Sequence, residues 1–101
     1  LIYNLSSVLE SGLINFVEET LTPKSIVLFG SYSRGEDTEN SDIDVFVECK
    51  KGELNLEKFE KKLRRKIELH FNERFISYPK ELKNNIINGI VLGGFLEGYW
   101  W

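Results

Sequence analysis

The feature of this chain that most constrains its fold is a short apolar run at residues 25–29, Ser-Ile-Val-Leu-Phe, which ends at Gly30. A run of this length, rich in β-branched and aromatic side chains, predicts a strand that is buried on both faces. Such a strand needs other elements above and below it. We therefore expect a layered structure with a sheet at its centre.

The remaining elements follow from hydrophobic periodicity. Apolar residues that recur every three or four positions predict helices, and apolar residues that alternate with polar ones predict strands. The predicted helices cover residues 7–21, 31–35, 54–65 and 79–88, and two further strands cover residues 43–48 and 66–71. The apolar, glycine-rich end of the chain is left unassigned. This order predicts an α/β fold with a small mixed β-sheet flanked by helices.

Length and composition exclude several classes of protein. The chain has 101 residues, a formal net charge of −3, 42% hydrophobic residues and 29% charged residues. These values predict one folded domain over residues 1–101 and exclude a disordered chain. The longest apolar run, residues 89–96, is far shorter than the roughly 20 residues of a membrane-spanning helix. The negative charge also argues against a protein that coats nucleic acid.

The first residue of the chain and its single cysteine indicate how the protein is processed and where it is located. The chain begins at Leu1 and contains no Met, which predicts a piece of a longer protein or a processed chain. Cys49 has no partner for an internal disulfide, and no basic-then-apolar leader is present, so we expect a cytoplasmic protein. Cys49 also lacks a neighbouring His or second Cys, so neither zinc binding nor nucleophilic catalysis is indicated.

The stretch that carries chemistry begins with Gly30-Ser31, continues for ten residues and ends with Asp42-Ile43-Asp44. A glycine after a buried strand lets the backbone turn tightly and lets a ligand approach closely. Ser31 is expected at the start of a helix, where free N–H groups and the helix dipole attract an anion. The pair is typical of a phosphate cradle, although it lacks the Lys of a Walker loop.

Acidic residues complete this arrangement. Asp42 and Asp44 are two positions apart at a strand start, so their carboxylates are predicted to share one face, where a cation such as Mg²⁺ would relieve their repulsion. Glu68, on the polar face of the third predicted strand, is either a third ligand and proton acceptor or a plain surface residue. His70 shares that face but is not included, because a single His there is typical of a solvated side chain.

An EF-hand is the alternative calcium-binding interpretation of the acidic residues at positions 37–48. The sixth position of such a loop requires glycine, and here it is Asp42. The spacing therefore excludes an EF-hand loop.

The sequence resembles the polymerase-beta-like nucleotidyltransferase superfamily, and within it the minimal nucleotidyltransferases. Gly-Ser-Tyr-Ser-Arg-Gly-Glu at residues 30–36, followed by Ser-Asp-Ile-Asp-Val at residues 41–45, is similar to that group's pattern, spacing included. The likeness extends to Ile-Glu-Leu at residues 67–69, where the family places its third acidic residue. It also extends to archaeal members that carry a winged helix ahead of this domain.

The resemblance implies an activity and a role for each matching residue. The family transfers a nucleoside monophosphate from a triphosphate to an acceptor hydroxyl, with two Mg²⁺ ions. Here we expect AMP from ATP, with another NMP from its triphosphate as the alternative. Gly30 and Ser31 would bind phosphate, Asp42 and Asp44 would hold the metals, and Glu68 would supply the third carboxylate.

Two further expectations follow from the resemblance. Arg34 matches the family's arginine and either contacts phosphate or pairs with an acidic neighbour such as Glu36. The acceptor would be a partner protein, such as the HEPN-type toxin of a toxin–antitoxin pair. The alternative function is an inactive nucleotidyltransferase fold that acts as a binding module, either an antitoxin or a transcriptional regulator.

Two surface features leave alternatives open. The basic run at residues 61–66 is either a solvated helix face or a docking patch for RNA or an acidic partner. The chain ends in three large aromatic residues, Tyr99, Trp100 and Trp101, which are expected to be shielded from water. They either pack on the first helix or lie in a homo-oligomer contact, or else they are not part of the native domain.

Overall fold

A mixed sheet lies at the centre of the computed structural model, which describes residues 5–30, 42–87 and 89–94. Its strands are β1 (Ser25–Phe29), β2 (Ile43–Glu48), β3 (Ile67–Asn72) and β4 (Ile90–Gly94). They lie in the order β3-β2-β1-β4. β2 runs parallel to β3, whereas β1 is antiparallel to both of its neighbours. The predicted α/β class is confirmed, and so are the bounds of β1 and β2.

Helices cover both faces of this sheet. Among the described residues they are α1 (Leu5–Glu10), α2 (Leu13–Leu21), α3 (Glu57–Leu63) and α4 (Lys80–Ile87), with a short 3-10 helix at Phe75–Ser77. The helix predicted at residues 31–35 lies outside the described residues.

The first helix is where the sequence prediction was wrong. The predicted helix over residues 7–21 is two helices, because the chain breaks between them at Ser11 and Gly12. Gly12 adopts a φ of +87°, a left-handed conformation that ends a helix and that glycine adopts without steric cost. The Ser11 hydroxyl donates to the Val8 carbonyl at 2.6 Å and accepts the Leu13 N–H at 3.2 Å. The apolar stripe continues through the break, so periodicity could not detect it.

The third helix is shorter than the predicted helix over residues 54–65. It starts at Glu57, whose N–H donates to the Asn55 side chain at 3.1 Å. It ends at Leu63, and the next residue, Arg64, adopts a φ of +55° while its N–H donates to the Glu60 carbonyl. Both ends are thus set by local hydrogen bonds rather than by the apolar stripe.

The C-terminal third differs from the prediction in its strands more than in its helix. β3 is shifted by one residue from the predicted 66–71, and α4 lies within the predicted 79–88, of which residue 88 is not described. β4 was not predicted at all. It pairs with β1, with Ile90 opposite Leu28. The aromatic residues at positions 99–101 lie outside the described residues.

The two faces of the sheet carry separate apolar clusters. On one face, α1, α2 and α3 pack over residues that include Ile26 and Leu28. On the other face, the 3-10 helix and α4 pack over Val27 and Phe29. The second cluster consists of Val27, Phe29, Phe46, Phe75 and Ile86, with Tyr78 packed against it. All of β1 is buried, as its apolar run predicted.

Candidate functional site

Residues of three adjacent strands meet at one end of the sheet. Asp44 of β2 lies opposite Phe29 of β1 in the antiparallel pair and opposite Glu68 of β3 in the parallel pair. Gly30 follows Phe29 directly. The fold therefore places Gly30 and Glu68 on either side of Asp44, although they are far apart in sequence.

Gly30 lies directly against the Asp44 carboxylate. Its φ is +79°, and a Cβ at this position would lie 2.5 Å from Asp44 Oδ2. Any larger residue would therefore be strained in its backbone and would also displace the carboxylate. The sequence predicts a glycine that lets a ligand approach; in the structure, the group that approaches is a side chain of the site itself.

Asp44 forms a cluster with Glu68 and His70. The three residues each offer one ligand atom, and these atoms all lie within 4.8 Å of one another. His70 Nε2 is 3.1 Å from Asp44 Oδ1. The side chain of Asp44 is 26% exposed and that of His70 is 25% exposed, whereas Glu68 is exposed. Solvent and a ligand can thus reach the cluster.

Sequence reasoning missed His70. The signal was present, since positions 68 and 70 of one strand share a face. What could not be known was that the side chain of Asp44, which lies diagonally across on the neighbouring strand, comes within 3.1 Å of the imidazole. His70 also contacts the Phe29 ring edge-on, with centroids 5.0 Å apart, so its imidazole is held on two sides.

The other predicted site residues are placed differently. Asp42 is half-buried and precedes the first residue of β2, and it is not a member of the cluster that Asp44 forms. The expected pairing of the Asp42 and Asp44 carboxylates therefore stays a prediction. Ser31 and Arg34 lie outside the described residues.

The donor set of the cluster fits a divalent cation. Two carboxylates close together repel each other, and a cation between them removes that cost. Carboxylate oxygens are ligands for Mg²⁺ and Mn²⁺, and a partly exposed site leaves positions for water and substrate phosphate. Asp44, Glu68 and His70 could therefore hold such an ion.

Burial affects two other sequence features, the Cys49 thiol and the basic run at residues 61–66. Burial raises the pKa of the Cys49 thiol, which disfavours the reactive thiolate. Within the basic run, Lys61 is exposed and lies 3.3 Å from Glu57, but Arg65 is buried. The run is therefore not a uniformly solvated face.

Comparison with known proteins decides the family. The family model described as a nucleotidyltransferase domain matches residues 10–92 of the chain. The chain belongs to this family. The match confirms the resemblance that the Gly-Ser and Asp-x-Asp motifs indicate, and it spans β1, β2, β3 and the cluster around Asp44.

Individual relatives support the same assignment over shorter stretches. A Methanocaldococcus jannaschii protein named "Putative protein adenylyltransferase" is 76% identical over 25 residues, which are 25% of each chain. A second protein of that name from the same organism is 56% identical over 32 residues, 32% of this chain and 37% of the relative. The matches thus span well under two thirds of the length of these relatives.

A solved structure extends the similarity to the fold. It is a crystal structure of a toxin–antitoxin with AMP-PNP, with a TM-score of 0.64 and 26% sequence identity. The alignment covers 85% of this chain and 73% of the other. No helix in the described part of the chain is long and apolar enough to cross a bilayer.

Proposed function

We propose that this chain is a nucleotidyltransferase domain that transfers AMP from ATP to a hydroxyl of an acceptor protein, with Mg²⁺ or a similar ion. The observation that carries the proposal is the cluster of Asp44, Glu68 and His70 beside Gly30. This cluster lies at the end of the sheet that contains Gly30 and Asp44 of the family's motif. The names of the relatives and the AMP-PNP of the structural neighbour support adenylate as the transferred group.

Nucleotide binding is assigned to the turn after β1. Gly30 allows the chain to turn beside Asp44, and Ser31 and Arg34 follow it in the same motif. In this proposal the Ser31 hydroxyl and nearby N–H groups bind the triphosphate, and Arg34 offsets its charge.

The acidic residues are assigned to the reaction centre. Asp42, Asp44 and Glu68 would hold two divalent ions, which when bound offset the negative charge of the triphosphate and of the group that leaves. Glu68, the most exposed of the cluster, accepts the proton of the acceptor hydroxyl. That oxygen forms a bond to the α-phosphorus, the bond from the α-phosphorus to the bridging oxygen breaks, and pyrophosphate leaves.

The acceptor is assigned to a HEPN-type toxin in the cytoplasm, with this chain as the antitoxin of the pair. The toxin–antitoxin neighbour supports this choice at the level of the fold. The homo-oligomer contact predicted for the aromatic residues at positions 99–101 falls outside the described residues and stays a prediction.

Labelled ATP tests the proposal. The full chain is incubated with Mg²⁺, a panel of HEPN-type toxins and either α- or γ-labelled ATP. We expect label on the acceptor from α-labelled ATP only, since AMP transfer leaves the γ-phosphate in pyrophosphate. Label from γ-labelled ATP would instead indicate a kinase.

Two variants complete the test. Asp44→Asn should abolish labelling, whereas Glu73→Gln, an exposed acidic residue just beyond β3, should not. If the unaltered chain binds an acceptor and ATP but never labels it, the alternative function as an inactive binding module is favoured.

A further inference from the structure

We infer that His70 is a nitrogen ligand of the metal site, and that this site prefers a first-row transition ion such as Mn²⁺ over Mg²⁺. The inference rests on the proposed function for the existence of the metal site. It adds a residue to which neither the family motif nor the sequence analysis assigns a role.

The distances fit a shared ion. His70 Nε2 and Asp44 Oδ1 are 3.1 Å apart. Two neighbouring ligands of an octahedral ion, each about 2.1 Å from it, lie about 3 Å from each other. One carboxylate oxygen of Glu68 lies within 4.8 Å of a ligand atom of each of the other two residues, so a third ligand is in reach. The positions of the three donors therefore need little change to meet at one ion.

The imidazole is also held in place rather than free in solvent. Its edge contact with Phe29 lies on the side of the second apolar cluster, and only 25% of its side chain is exposed. A donor that is already oriented loses less conformational freedom when it binds. The structure thus directs Nε2 towards the Asp44 carboxylate and away from the apolar cluster.

The chemistry of the donor decides which ion is preferred. Mg²⁺ favours oxygen ligands and keeps much of its water, whereas imidazole nitrogen favours first-row transition ions. Exchanging one oxygen donor for a nitrogen therefore raises the affinity for Mn²⁺ relative to Mg²⁺. An all-carboxylate site of the same size would distinguish the two ions less strongly.

Electron paramagnetic resonance of bound Mn²⁺ tests the inference directly. The chain contains a single His, so in tag-free protein any imidazole-nitrogen coupling to the ion comes from His70. We expect this coupling in the full chain at saturating Mn²⁺, with or without a non-hydrolysable ATP analogue. Its absence at saturating Mn²⁺ would overturn the inference even if no variant can be prepared.

Calorimetric titration of two variants provides the second readout. His70→Gln replaces the nitrogen donor by an amide and should lower Mn²⁺ affinity about tenfold or more, with a much smaller change for Mg²⁺. The control Glu73→Gln should leave both affinities unchanged. If His70→Gln lowers both affinities equally, His70 only orients Asp44 through a hydrogen bond and the inference is wrong.

These outcomes separate the inference from the proposed function. AMP transfer by a chain that shows no nitrogen coupling would refute the role of His70 alone. Nitrogen coupling in a chain that transfers nothing would support the role of His70 and refute the enzyme.

Discussion

Two carboxylates on the same face of β2 have opposite surroundings. Glu48 is fully buried, accepts the Ser25 hydroxyl at 3.0 Å and accepts the Phe75 N–H at 3.0 Å. Asp44, at the other end of the strand, is 26% exposed and has His70 beside it. The strand is the same and the side chains are similar, so the difference lies in what the neighbouring elements place against each one.

This difference separates a structural carboxylate from a candidate functional one. Both oxygens of Glu48 connect β1 and the 3-10 helix to β2, so each buried oxygen has a hydrogen-bond donor. Asp44 is open to solvent on one side and can therefore take a ligand. We expect substitutions at Glu48 to change stability and substitutions at Asp44 to change chemistry.

The same isosteric substitution at the two residues is the strongest test of the comparison. Asp44→Asn should lower AMP transfer by about 10³-fold or more, because several kcal/mol of charge stabilisation depend on the metal site. Glu48→Gln should leave the rate per folded molecule nearly unchanged. Transfer is measured with α-labelled ATP and folding by circular dichroism. Equal loss in both variants would contradict the division.

Glu68→Gln distinguishes binding from chemistry within the cluster. The substitution keeps the shape of the side chain but removes the proton acceptor, so we expect transfer to fall about 10²-fold. ATP affinity should change little, because the proposal assigns triphosphate binding mainly to Asp42, Asp44 and the turn after β1. The free energy of unfolding should also change little, because Glu68 is exposed. Calorimetry and single-turnover rates check the two parts. An unaltered rate would show that Glu68 is a plain surface residue.

Glu48→Ala tests the structural half of the comparison. Removing the carboxylate leaves the buried Phe75 N–H without this acceptor and opens a space, so the free energy of unfolding should fall by about 2–3 kcal/mol. Glu48→Gln, whose amide can still pair with Ser25 and Phe75, should cost about 1 kcal/mol or less. Urea denaturation measures both. A loss for Gln as large as the loss for Ala would contradict the expectation that the amide replaces the carboxylate as the partner of Ser25 and Phe75.

Gly30→Ala tests the contact that holds Asp44. The φ of +79° makes a side chain unfavourable by about 1–2 kcal/mol, and the new methyl group would displace the carboxylate. We expect lower stability together with weaker Mn²⁺ binding. Gly52→Ala is the matched control, because its methyl would meet only the end of the Leu21 side chain, 2.8 Å away. If both variants bind Mn²⁺ normally, Gly30 does not position the site.

The fold was predictable wherever one local pattern decided the element. The apolar run of β1 and the alternation of β2 were sufficient, and both strands have the predicted bounds. The break at Gly12 and the strand β4 were not predictable in this way. The break at Gly12 leaves the apolar stripe of the helix intact. The strand β4 forms from a glycine-rich segment because that segment is hydrogen-bonded to β1.

The residues of the candidate site could be predicted in part for a similar reason. The motif singled out Gly30, Asp44 and Glu68 because residue type and spacing carry that information within the chain. The neighbour relation between Asp44 and His70 depends on the parallel register of β2 and β3, which no local pattern specifies. The sequence can therefore predict which face of a strand is polar, but not which side chains of the neighbouring strand lie beside that face.

The sequence by itself determined the strands β1 and β2, the presence of helices on either side of them in the chain and the motif that identifies the family, but not where those helices break and end. Only the tertiary structure decided that Asp44 clusters with Glu68 and His70, that Gly30 lies against the carboxylate, and that Glu48 is buried between two donors. The physical reason is that periodicity reports which face of an element is buried, whereas strand order and register decide which residues meet there.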